Sequence, residues 1–264
     1  MKKHELWAAI AMAGLLLPVA GCKPDAAVKT PATIDRSPAR PANTPALPPE
    51  ATGTVSGTIS FKGLPPVPKT IDTSMDPACD ITGSGKLPTE QFVVKNGKLA
   101  NVFLYVKTGP PAAMNAAGPA APVVLDQKHC QYVPHVIGVM QGGTVEFRNS
   151  DVTMHNIHTM PTTVGNEPID VSMGPRGQPV VKQFNKPELM LPVRCNNHPW
   201  MNAFINVSAT PFFAVSDAEG HFELRGLPPG DYTIGAVHEK LGEKTLQVTV
   251  TAQATAKADF SFAQ

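Results

Sequence analysis

From Gly53 onward, apolar positions alternate with small polar ones in short runs. Gly53 to Phe61 sets Val55, Gly57, Ile59 and Phe61 against Thr and Ser. Gly143 to Asn149 sets Val145 and Phe147 against Glu146 and Arg148. Asn202 to Ser208 places Ala203, Ile205 and Val207 on one face, and Thr245 to Thr251 and Ala256 to Phe262 repeat the period. Leu99 to Val106 is apolar throughout and β-prone. A period of two is the mark of a half-buried strand. No stretch after residue 52 sustains a helical period, and Gly and Pro punctuate the intervals. The pattern predicts an all-β chain of sandwiches or barrels.

The first 51 residues read differently. Lys2 and Lys3 precede a short apolar run from Leu6 to Ala20, too short to span a membrane and flanked like a targeting segment. The run ends in Leu17-Pro18-Val19-Ala20-Gly21-Cys22, which resembles a bacterial lipobox. That resemblance implies residues 1–21 as a lipoprotein signal peptide and Cys22 as the lipidated first residue of the mature chain. An ordinary signal peptide with Cys22 incidental is the other reading. Either one exports the chain to a compartment that permits disulfides. Seven of the residues 23–51 are Pro and no apolar period is visible, so 22–51 is expected to be a disordered, extended linker.

The remainder is long enough for one large or two small domains. Residues 52–209, with a core at about 87–209, hold every candidate ligand, and 210–264 form a second unit. Asp217-Ala218-Glu219-Gly220 followed by His221 to Leu224, and Gly226-Leu227-Pro228-Pro229-Gly230 followed by Tyr232 to Val237, resemble the carboxypeptidase regulatory-like (transthyretin-like) domain. The resemblance implies a small, non-catalytic, prealbumin-like β-sandwich. Fifty-five residues are few for it, and Gly53 to Gly63 and Gly97 to Lys107 fit its first strands. A discontinuous sandwich with the other domain inserted, and two domains in series, are the two expected arrangements.

The formal net charge is +1 and aromatics are 6%, with no basic stripe, which excludes a nucleic-acid-binding class. The chemistry concentrates in Cys195-Asn196-Asn197-His198-Pro199-Trp200-Met201, with His155 forty residues upstream. A thiolate, two imidazoles and a thioether are soft and borderline donors, the ligand set of a blue-copper site. Of the four cysteines, Cys22 is assigned to lipid and Cys195 to metal. Cys79 and Cys130 remain, and an unused pair outside the cytoplasm reads as a disulfide. A second metal site with His129 or His135, and free thiols, are the alternatives.

Met154-His155-Asn156-Ile157-His158 and the loop Cys195 to Met201 resemble the ligand segments of the cupredoxins, and of the amicyanins most closely. Tyr132 to His135 and Gly142 to Asn149 resemble the strand pair before the first ligand. The resemblance implies a Greek-key β-sandwich or barrel holding one type 1 copper, with His155, Cys195 and His198 in the ligand plane and Met201 axial. It implies that Asn156 ties the ligand loops together and that electrons leave by the surface at His198, Pro199 and Trp200. His158, three positions after His155 on a strand, points to the other face. The function so implied is a lipid-anchored periplasmic or envelope electron carrier, not an enzyme, serving an unidentified redox protein such as a dehydrogenase, in amine oxidation for example, or a cytochrome. Copper delivery or sequestration, and a structural or glycan- or protein-binding sandwich with a non-functional site, are the other readings.

Overall fold

The computed structural model describes residues 51–74, 76–80, 84–119 and 121–264. Cys22, the signal segment and nearly all of the Pro-rich linker lie outside the described residues. What is described is almost entirely β, with short helical turns at Pro77–Cys79 and Pro111–Met114.

Two packed pairs of sheets account for most of the strands, and Thr70–Asp72 pairs separately with Lys86–Pro88. In the first pair, Gly53–Lys62 is the organising strand. It runs antiparallel to His221–Leu227 on one side and parallel to Thr255–Lys257 and then Phe260–Ala263 on the other. Its burial alternates along its length as its sequence does, with Val55, Ile59 and Phe61 turned inward. The facing sheet orders Phe213–Val215, Phe103–Thr108, Gly230–His238 and Gly242–Val250. Between them, Val55, Ile59, Leu104, Leu224, Ile234 and Phe262 form one core.

The regulatory-like motif has a local physical basis here. The Asp217 carboxylate accepts from the N–H groups of Glu219 and His221, and Gly220 turns with φ 72°. A Cβ at Gly220 would stand 2.5 Å from the Ile59 carbonyl oxygen, so both the backbone conformation and the close approach require glycine. The Tyr232 hydroxyl donates to the Pro228 carbonyl, closing the Pro-Pro-Gly turn.

The second pair of sheets carries the candidate ligands. One orders Val180–Gln183, Thr144–Asn149, Val123–Lys128 and Gln131–Val133. The other orders Asp170–Met173, His155–Thr159, Glu188–Arg194, Asn202–Ser208 and Val136–Met140. Leu125, Phe147, Ile157, Leu191 and Ile205 fill the space between, together with Cys195 and Met201. All the sheets among the described residues are open, so the architecture is sandwich and not barrel.

Two expected strands are interrupted. The apolar run Leu99 to Val106 splits at Asn101, which takes φ 60° and donates its amide to the Glu90 carbonyl. Strand then resumes at Phe103. Ala256 to Phe262 splits before Phe260, where the Asp259 carboxylate accepts the Thr58 N–H. Polar side chains that bond to backbone override the period at both places.

A seam of Phe103, Tyr105, Val136 and Val237, with Phe204 and Phe213, joins the two sheet pairs. Gly138 lies against it: a Cβ there would meet Phe213 at 2.5 Å and Phe103 at 2.6 Å. Gly138→Ala is therefore expected to cost about 1–3 kcal/mol by overpacking. Denaturant unfolding that leaves the midpoint unchanged would show that the seam yields freely.

Candidate metal centre

Strand register brings the ligand-type residues together. His155–Thr159 pairs antiparallel with Glu188–Arg194, and His158 stands opposite Arg194. Arg194 in turn stands opposite Asn202 on the next strand. The loop 195–201 therefore emerges at the end of the sheet where His155 begins. The loop closes tightly on itself, the Met201 N–H donating to the His198 carbonyl at 2.8 Å and the Cys195 N–H to the Met201 carbonyl at 3.3 Å.

His155, Cys195 and His198 converge, each offering one ligand atom within 4.8 Å of the others. The two Nδ1 atoms are 3.0 Å apart, and Cys195 Sγ is 3.6 Å from His198 Nδ1. All three residues are buried, with exposures of 0% (His155), 3% (Cys195) and 4% (His198). Met201 is buried in the same core as Cys195. Pro199 is exposed, and Trp200 is half-buried, packing edge-on to His198 at 5.1 Å and donating its indole N–H to the Cys130 carbonyl.

The outer imidazole nitrogens are also engaged. His155 Nε2 lies 2.8 Å from Asp151 Oδ2, and His198 Nε2 lies 2.9 Å from Asp76 Oδ2. An ionised carboxylate only accepts, so both rings carry a proton on Nε2. The short Nδ1 to Nδ1 contact then needs one further proton between the rings. Burial opposes charge on His155, but its bonds to Asp151 and Cys195 outweigh it and push the imidazole up to about 9. Burial likewise opposes the Cys195 thiolate, yet His155, His198 and the Asn156 N–H overcome this and draw the thiol down to about 6. At neutral pH the site thus sets a thiolate at Cys195 beside an imidazolium at His155. Replacing the shared proton by a metal cation leaves one sulfur and two nitrogens directed at the ion. That donor set suits a soft or borderline transition metal.

Asn156 contributes in two ways. Its N–H donates to Cys195 Sγ at 3.3 Å, and its amide donates to Asp170, which also receives the Asn196 amide. His158 turns away from the cluster and meets the Asn196 side chain at 2.9 Å. His135 is also elsewhere, buried against Glu239 at 2.7 Å. Asp76 and Asp151 were not singled out by the sequence. Asp151 lies four residues before His155, a spacing with no diagnostic value in a loop, and Asp76 is separated from His198 by most of the domain.

Cys79 and Cys130 are joined, with S–S 1.99 Å, and Cys195 is the free cysteine among the described residues. The cofactor expectation of one type 1 copper is corrected at this point. Among the described residues three overlapping clusters of ligand types occur: Cys79, Cys130 and His198; His155, Cys195 and His198; and Cys130, Asp151 and His155. The sulfurs in two of them are tied up in the disulfide and offer no thiolate. The disulfide is inconsistent with these groups as a free-cysteine type 1 copper site, and it also removes the reading of Cys79 and Cys130 as ligands of a second metal. What stands is a cluster of metal-ligating side chains, with no copper type attached.

The model of the carboxypeptidase regulatory-like domain matches residues 194–263, beginning ahead of the expected boundary at 210 and taking in the ligand loop. No curated protein matches the chain. Among solved structures, a mutant of amicyanin in its Cu(I) form is 20% identical over 39% of this chain and 97% of its own, with TM-score 0.30. The purple cupredoxin from Nitrosopumilus maritimus is 20% identical over 33% of this chain and 99% of its own, with TM-score 0.27. The Cu-containing nitrite reductase from Thermus scotoductus SA-01 is 22% identical over 56% of this chain, with TM-score 0.30, and the match spans only 28% of the reductase. The chain is an almost all-β protein whose C-terminal part is similar to the carboxypeptidase regulatory-like domain and whose other sheet pair holds a cluster of potential metal ligands.

Proposed function

We propose that this protein is a one-electron carrier of the cell envelope, built on a metal ion held by Cys195, His155 and His198, and not an enzyme. The observation that carries the reading is the convergence of these three buried groups within 4.8 Å from two strand ends of one sheet. Ligands held at a strand end and on a short loop closed by its own hydrogen bonds move little when the ion changes oxidation state, which favours fast electron exchange. The ion supplies the redox change, and the residues supply its position and shield it from water. In this reading Cys22 carries lipid, residues 23–51 form the tether, and the partner is another envelope redox protein.

Two competing functions fit the site less well. Delivery by ligand exchange needs an open ligand, and all three here are buried. A purely structural domain gains nothing from burying a thiolate and two histidines with their carboxylates, because buried charge costs stability unless it is used.

The test loads purified, lipid-free protein with copper, cobalt or zinc salts in turn, followed by dialysis and voltammetry. One equivalent of a redox-active metal and a reversible one-electron wave is the expected result. Tight binding with no wave would replace the carrier reading by sequestration. No stoichiometric binding of any of them would remove both.

A further inference from the structure

We propose that Asp76 and Asp151 form a paired carboxylate clamp, locked by the Cys79–Cys130 disulfide, that orients both imidazoles of the metal centre with Nδ1 turned toward Cys195. The proposal rests on the metal-centre reading above and adds positioning residues to it.

Each carboxylate is itself anchored. Asp76 caps the short turn Pro77–Cys79, with Oδ1 accepting the Ala78 N–H at 2.9 Å. Its Oδ2 is left for His198 Nε2 and for the Thr153 hydroxyl at 3.1 Å. Asp151 accepts the His129 N–H at 2.7 Å and the Cys130 N–H at 2.8 Å, and presents Oδ2 to His155. Both anchoring points adjoin a half-cystine: Ala78 precedes Cys79, and Asp151 grips Cys130 itself. One covalent bond therefore fixes both carboxylates relative to each other. Thr153, between Asp151 and His155, adds a second tie across to Asp76.

His129 and Cys130 both take left-handed conformations, φ 58° and 53°, which are unfavourable for residues with a Cβ. Consecutive residues of this kind turn successive N–H groups into one concave anion site, and Asp151 occupies it. Positive φ at both residues is what the two-residue hairpin turn joining Val123–Lys128 to Gln131–Val133 requires, and Asp151 accepts the N–H groups that this turn presents. A carboxylate on the outer nitrogen selects the tautomer, holds the ring plane and raises ligand basicity. Asp76 additionally covers the outer edge of His198, so that ring meets a carboxylate where an uncapped one would meet water.

The test uses the full folded chain without its lipid and reads two quantities. Long-range proton–nitrogen NMR spectra of the metal-free protein report the tautomers directly. Zinc affinity, from competition against a chelator, reports the effect on binding. In the wild type, Nε2 is expected to be protonated on both rings. Asp76→Ala is expected to release the His198 tautomer while leaving that of His155, and to weaken zinc binding roughly 10–100-fold with an unchanged circular dichroism spectrum. Asp76→Glu is expected to recover part of that loss. A ring without a proton on Nε2 in the wild type, or zinc affinity in Asp76→Ala within twofold of wild type, would overturn the clamp. Wild-type protein that takes up no zinc would instead overturn the metal-centre reading, and the metal-free tautomers would then decide the clamp by themselves.

Discussion

Cys195→Ser is expected to weaken metal binding by well over about 100-fold, since loss of an outer-shell partner alone already costs 10–100-fold. Cys195 supplies the only thiolate among the described residues, and it is the group that gives the donor set its preference for soft and borderline ions. The side chain is small and the substitution nearly isosteric, so the sandwich should remain folded by circular dichroism. The same titration in the wild type carries a pH signature. The Cys195 thiol is held down to about 6, so the thiolate is present above that pH and affinity falls as pH is lowered through it. His155 is held up to about 9, so binding at neutral pH should release about one proton from the imidazole pair. Affinity that is flat between pH 5 and 8, or a serine variant that binds like wild type, would place the metal elsewhere.

The second large effect is on stability. Replacing Cys79 and Cys130 together by Ser removes a cross-link between positions 51 apart in sequence. The loop-entropy model puts the loss at about 4 kcal/mol. For a folded region of this size that corresponds to a fall in Tm of roughly 10 °C. Because the bond also fixes Asp76 and Asp151, the same variant should bind metal more weakly at temperatures where it is still folded. Urea unfolding of the double variant with an unchanged midpoint would mean that packing alone holds the segment carrying Asp76.

The strands were legible because they alternate. Gly53 to Phe61 has one buried face in sequence and in structure, and so do Val145 and Phe147. The exceptions are places where a polar side chain bonds to backbone, as Asn101 and Asp259 do, and a hydrophobic period carries no trace of such bonds. The short ligand loop was legible because a Cys, a His and a Met within seven positions are rare, and strand register does the rest by setting them at the end where His155 starts. The outer carboxylates were not legible. Asp76 reaches His198 through a disulfide and a turn, and no local pattern encodes a partner 122 residues away. The cover over His198 was not legible either: the ring is buried, with Nε2 meeting Asp76. Pro199 and Trp200 remain at the surface end of the loop, with Trp200 in ring contact with His198.

The central claim is that Cys195, His155 and His198 hold one ion together. X-ray absorption at the zinc edge of the zinc-loaded protein tests it most directly, because scattering distance distinguishes sulfur from nitrogen. One sulfur at about 2.3 Å and two imidazole nitrogens at about 2.0–2.1 Å are expected. A shell of nitrogen and oxygen alone, with no sulfur, would contradict the account.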